Sequence, residues 1–207
     1  MGAHYDSYSD SPGADDNASS VAVLIELLRS LAHRAHELTT PLELAFWACE
    51  EPPAFSSNAM GSDRHASYLR SRGIGVGLVV ILEMVGYYSD RQTVRTINFT
   101  SDDGTRGRTL LPARGDFLLV TGTDGIVVGD ADVALREAGL RTVALPAYTD
   151  LLDICDGLNW SDTKRLLITD TGMYRNPHYH RVTDRPGTLD FGRIAMLAEG
   201  LASFLFR

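Results

Sequence analysis

Leu78-Val79-Val80-Ile81-Leu82-Glu83-Met84 is an apolar run with one carboxylate near its end. A run of this length and composition is consistent with a strand buried on both faces, as in parallel sheets. Outward from it the same pattern recurs. Residues 42–48, with Phe46 and Trp47, read as a second buried strand that Glu51-Pro52-Pro53 stops sharply. Residues 117–121, 143–145 and 166–169 read as further strands. Between and around them lie helical patterns. Residues 18–38 carry Val21, Leu24, Ile25, Leu28 and Leu31 at helical spacing, residues 58–72 and 132–138 follow, and residues 189–206 close the chain. Apolar strands alternating with amphipathic helices predict an α/β fold of three layers, a mostly parallel central sheet flanked by helices.

The length of 207 residues fits a single domain over 1–207 better than two small ones. Hydrophobic content of 44% and charged content of 22% are ordinary for a globular protein. A net charge of -8 argues against a duplex nucleic-acid binder, which would carry a basic face. Cys49 and Cys155 are too few for a disulfide framework. Cys49, inside an apolar run, is expected to be a buried free thiol. No stretch reaches the ~20 apolar residues of a membrane span, and nothing at the start resembles a secretory leader. The compartment is not fixed by the sequence. The abrupt opening Met1-Gly2-Ala3-His4 gives the expectation of a shortened amino end.

Ligands in such sheets gather beyond the carboxyl ends of the strands. Glu50 and Glu51 follow one strand there, and Glu83 ends another. A carboxylate in so apolar a run must be paired or bind a cation, so Glu83 meets either an arginine or lysine or a metal. His4 and Asp6 form an H-x-D pair that projects to one side of an extended segment, where Asp6 can accept from the imidazole nitrogen turned away from a metal. Asp15 and Asp16 precede a helix, which one of them could cap, but capping does not need two acids. Asn176-Pro177-His178-Tyr179-His180 supplies two late histidines, and Thr183-Asp184 is placed to hold His180. His33, His36 and His65 lie among charged neighbours and read as surface residues.

Five blocks in this order resemble the co-catalytic zinc aminopeptidase family, whose relatives include bacterial leucyl aminopeptidase, glutaminyl cyclase and the transferrin-receptor ectodomain. They are GAHYDS at 2–7, GADDNAS at 13–19, ACEE at 48–51, ILEMVGY at 81–87 and NPHYH at 176–180, with TLDF at 188–191 leading into the last helix. The resemblance implies two zinc ions per chain, His4 and Glu83 on one, Glu51 and His180 on the other, and Asp16 bridging both. It implies Glu50 as general base and Tyr179 as an oxyanion donor. The implied activity is metalloprotease hydrolysis of the first peptide bond of a peptide with a free N-terminus. Arg175 could contact carbonyl or carboxylate groups of the substrate.

The blocks also depart from the family pattern. Glu83 stands where many relatives carry Asp. The strand expected to lead into His4 inside the sheet is reduced to Met1-Gly2-Ala3, so a partner chain or a swapped segment is expected to fill its place. The family's SDH, followed by an aromatic, is sought at Trp160-Ser161-Asp162, where the histidine is absent and the segment up to Arg165 looks short. Two alternatives follow: a glutaminyl-cyclase-like acyltransferase with one zinc, or a binding protein that keeps the fold without catalysis.

Overall fold

The structure is a computed structural model and describes residues 1–101 and 103–207. In chain order the strands are β1 (Gly2–His4), β2 (Ala45–Trp47), β3 (Val79–Glu83), β4 (Thr96–Thr100), β5 (Arg106–Leu110), β6 (Leu118–Gly122), β7 (Thr142–Leu145), β8 (Tyr148–Thr149) and β9 (Arg165–Thr169). The helices are α1 (Ser20–Leu31), α2 (Gly61–Ser71), α3 (Gly125–Glu137) and α4 (Phe191–Phe204). Six strands build the main sheet in the order β2-β1-β3-β9-β6-β7, and β5-β4-β8 form a smaller antiparallel one. Among the described residues only the β6–β9 ladder of the main sheet is antiparallel, so the mostly parallel architecture is as expected.

The run that opened the reading lies in the middle of this sheet, and alternate residues face opposite sides. Val80 and Leu82 join Leu24, Leu27, Leu135 and Leu197 in one core, under α1, α3 and α4. Val79 and Ile81 join Leu69, Leu119, Trp160 and Leu167 in the other, under α2 and the turns before β9. Both faces are covered, which gives the three layers.

Several expectations change. Gly2–His4 occupy the interior position thought to be vacant, pairing with β2 through all three residues and with β3 at Gly2↔Ile81. The reason for expecting a partner strand at that position is therefore gone. Glycine is needed at residue 2 because a Cβ there would come within 2.3 Å of the Trp47 indole. α1 stops at Leu31 rather than reaching residue 38, since residues 32–37 are all exposed and bury no apolar face that would hold a helix. α3 starts earlier than expected, at Gly125, where the Asp124 carboxylate caps it by accepting from the amides of Ile126 and Val127. The β4–β5 hairpin was not expected at all. Cys49 is exposed rather than buried, because its backbone turns to φ 61° and re-aims the side chain; Cys155 is buried.

Candidate metal centre

Strand direction assembles the site. β2, β1, β3 and β9 run parallel, so their carboxyl ends lie along one edge. His4 ends β1, Glu83 ends β3, and Glu50 and Glu51 follow β2. The turn Ala14–Ser19 before α1 brings Asp16 to the same edge, and the segment after β9 brings His180. Gly13 opens that turn at φ 65°, where a Cβ would meet Ser7 Cβ at 2.5 Å. Cys49, Met84 and His180 hold left-handed φ values of 61°, 47° and 57°. Each adjoins or is a site residue, and such conformations cost about 1–3 kcal/mol apiece, so the fold stores strain where it aims these side chains.

Asp16 stands between the two histidines. Its Oδ1 lies 3.3 Å from His4 Nε2, and its Oδ2 lies 3.2 Å from His180 Nε2. Glu83 Oε1 is 3.2 Å from His4 Nε2, and Glu51 Oε2 is 3.2 Å from His180 Nε2. The donors thus form two trios, His4–Asp16–Glu83 and Asp16–Glu51–His180, which share Asp16; within each, the donor atoms lie within 4.8 Å of one another. Glu50 belongs to neither, with Oε2 3.8 Å from His4 Nε2. Among the described residues no arginine or lysine pairs with Glu83, so the ion-pair alternative for it falls away.

Supporting contacts fix each donor. His4 Nδ1 lies 3.0 Å from the Asp6 carbonyl and 3.6 Å from its carboxylate. That carboxylate accepts the amides of Glu50 and Glu51, tying β1 to the acid pair. Asp184 does not reach His180; it accepts the amides of Asp15 and Asp16 and so holds the central carboxylate. His180 is instead fixed by stacking on Tyr8 at 4.0 Å and Tyr179 at 3.7 Å. Asn17 bonds Leu82 and Met84 of the β3 end and reaches Glu83 at 3.4 Å. Asp15 is buried, accepting from Gly86 and Asn176. Tyr8, Asn17 and Asn176 were not foreseen, since a single tyrosine or asparagine in a loop carries no spacing signal. Arg175 is buried, bonded to Gln92 and Phe117, and makes no approach to the cleft. His65 is no surface residue either: it takes a hydrogen bond from Trp47 and meets Glu43 at 2.9 Å. Asp162 pairs with Arg70 at the surface, and the buried acid of that stretch is Asp156, four residues before the buried Trp160.

The electrostatics ask for cations. Burial, then the Glu83 charge, raises the Glu50 carboxyl to about 10. Burial and Asp16 raise Glu51 to about 7, and burial raises Asp156 to about 7 against the pull of His4. Glu83 is raised by burial as well. Burial alone would lower His4, but Glu83, Asp16 and Asp6 outweigh it and raise the imidazole. His180 is raised too, burial being outweighed by Asp16 and Glu51. So many carboxylates crowd together that, by themselves, they hold protons. Glu51 Oε1 is moreover a buried acceptor with no hydrogen-bond partner among the described residues. Imidazole and carboxylate donors in two trios fit zinc, and each trio leaves coordination positions for water or substrate.

Residues 1–205 match peptidase family M28, and the chain belongs to that family. It is 35% identical to the Escherichia coli (strain K12) protein YfbL, over all of this chain and 65% of that one. The Legionella pneumophila LapA aminopeptidase superposes with a TM-score of 0.71 at 18% identity, covering 99% of this chain and 49% of LapA. The zinc aminopeptidase BSAP of Bacillus subtilis gives 0.64 at 19% identity, covering 99% of this chain and 44% of BSAP. The Tannerella forsythia glutaminyl cyclase gives 0.64 at 20%, covering 100% and 72%. At such identities the superpositions establish the fold. The chain spans just under two thirds of YfbL and about half of the two aminopeptidases.

The Asp184 contacts make a prediction. Asp184→Ala removes the acceptor that holds the Asp15 and Asp16 amides, and zinc affinity is expected to fall about 10–100-fold, as for other supports of metal ligands. Titration with a competing zinc chelator checks this, with Asp184→Asn expected to lose less.

Proposed function

We propose that the chain is a two-zinc aminopeptidase domain that releases N-terminal residues from peptides. The observation that carries the reading is the division of the Asp16 oxygens between two histidine–glutamate pairs, at 3.3 and 3.2 Å from His4 and His180. Zinc bound there would supply Lewis acidity and lower the pKa of a coordinated water. His4 and Glu83 would hold one ion, Glu51 and His180 the other, with Asp16 common to both. Glu50 is free of both trios and reaches the same space, so it takes the proton from the attacking water and returns it to the leaving amine. Tyr179 lines the cleft with Glu50 and Glu83, which supports a role as donor of its hydroxyl to the developing oxyanion. Burial and the surrounding carboxylates raise the Tyr179 pKa, so the hydroxyl keeps that proton. Leu151, Ile154 and Met173 give the cleft an apolar wall suited to an apolar N-terminal side chain.

A cyclase with one zinc would leave one trio idle. His4 is wholly buried against Asp16 and Glu83, which favours a working donor and so the two-zinc reading. The zinc-loaded chain offered leucine p-nitroanilide and a peptide with N-terminal glutamine is expected to hydrolyse the first and to release glutamine from the second. Cyclisation of the glutamine in place of its release would decide for the acyltransferase, and inertness toward both for a binding protein.

A further inference from the structure

The β4–β5 hairpin and β8 form a second concavity outside the metal cleft, of about 570 Å³. Its wall is the exposed face of the small sheet. Asn98 and Thr100 of β4 lie opposite Arg108 and Arg106 of β5, and Thr100 lies opposite Tyr148 of β8, so these side chains share a face. That face carries no buried apolar residue, and core packing does not explain it. Asn98 Oδ1 accepts from Arg108 Nε at 3.2 Å, which orients the guanidinium and leaves its terminal nitrogens for another acceptor. Among the described residues no carboxylate forms an ion pair with Arg106 or Arg108, in a chain of net charge -8. Asp150, the one acid among the described residues of the lining, sits where β8 ends.

Asp150 lines this concavity and the next residue, Leu151, lines the metal cleft, so the turn Asp150–Asp153 contributes to both. An anion bound beside the two arginines would therefore lie beyond the apolar wall of the cleft, on the side of the small sheet. The planar guanidinium fork matches a carboxylate through paired hydrogen bonds. We propose that this groove holds the C-terminal carboxylate of a short peptide whose amino end lies at the metal pair. The proposal rests on the aminopeptidase reading for the direction in which the peptide lies, and it names the substrate class as short peptides with a free carboxyl end.

Leucine-led peptides of three to five residues, each as free acid and as C-terminal amide, test this with the zinc-loaded chain and with its Arg106→Gln/Arg108→Gln variant. At one or more lengths the free acid is expected to have the higher kcat/KM by about tenfold, consistent with a charge-assisted contact. In the variant the acid-to-amide ratio falls to about one. Equal rates for acid and amide at every length, or a preference that survives in the variant, overturn the proposal. Calorimetric binding of the same peptides separates it from the hydrolytic reading. Acid-selective binding lost in the variant, with no cleavage, sustains the groove and sinks the peptidase. Binding indifferent to the carboxylate, or none, sinks the groove whatever the rates.

Discussion

Glu50→Gln is expected to lower kcat for leucine p-nitroanilide by about 10²–10⁴-fold while the chain keeps its zinc, the loss typical of a missing general base. The amide is nearly isosteric, and Glu50 contributes to neither trio, so the donors around His4 and His180 stay in place. What is lost is a group that can carry a proton between water and the leaving amine. By themselves, burial and Glu83 hold the Glu50 carboxyl at about 10. Cations beside Glu83 and Glu51 would offset those neighbouring charges and let Glu50 ionise as a base must. A Gln variant with full rate and full zinc would remove Glu50 from the chemistry. A variant that lost its zinc would instead make Glu50 a ligand.

The second large effect concerns zinc and stability together. Glu50 and Glu51 have folded-state values raised from 4.5 to about 10 and about 7, so without metal the fold binds more protons than the unfolded chain above 4.5. Stability falls with rising pH wherever the folded state binds the extra protons. The raised His4 and His180 act in the same direction, their contribution being fully present below the ordinary histidine value of 6.5 and lost as pH rises through their folded values. Asp6, lowered from 3.8 to about 2, and Asp16, also lowered, act only in acid, where their contribution is lost as pH falls. The metal-free chain is therefore expected to melt at a lower temperature at about pH 8 than at about pH 5. Zinc needs the deprotonated ligands, so its stabilising effect grows across the same range. At a free concentration of about 1,000 Kd the gain is about 4 kcal/mol. In a domain of this size that raises Tm on the order of 10 °C. Thermal melts with and without zinc at the two pH values check this. A Tm indifferent to zinc would mean that the carboxylates are satisfied in some other way.

Much of this was readable because the site lies on regular elements. The run ending in Glu83 has the composition of a doubly buried strand, and a carboxylate there stands out against its neighbours. The blocks around His4, Asp16 and Glu51 lie at strand ends or just before a helix, and the parallel sheet brings them to one edge, where the turn after β9 adds His180. The hairpin was hidden for the opposite reason. Thr96–Thr100 and Arg106–Leu110 are polar, mostly exposed strands with no apolar period to mark them. Asp156 escaped because its burial depends on the packing of the turns before β9, and the likeness to SDH drew attention to Asp162, which folds to the surface. Asp184 was picked as a support but for the wrong partner. Proximity in sequence suggested His180, whereas the free amides of the Asp15–Asp16 turn were the unsatisfied donors.

Diffraction from zinc-loaded crystals at the zinc absorption edge tests the centre most directly. Two anomalous peaks about 3.5–4 Å apart are expected, one beside His4 and Glu83 and one beside Glu51 and His180, with Asp16 between them. A single peak, or none in a folded chain soaked with excess zinc, would contradict a pair of cations joined by that one carboxylate.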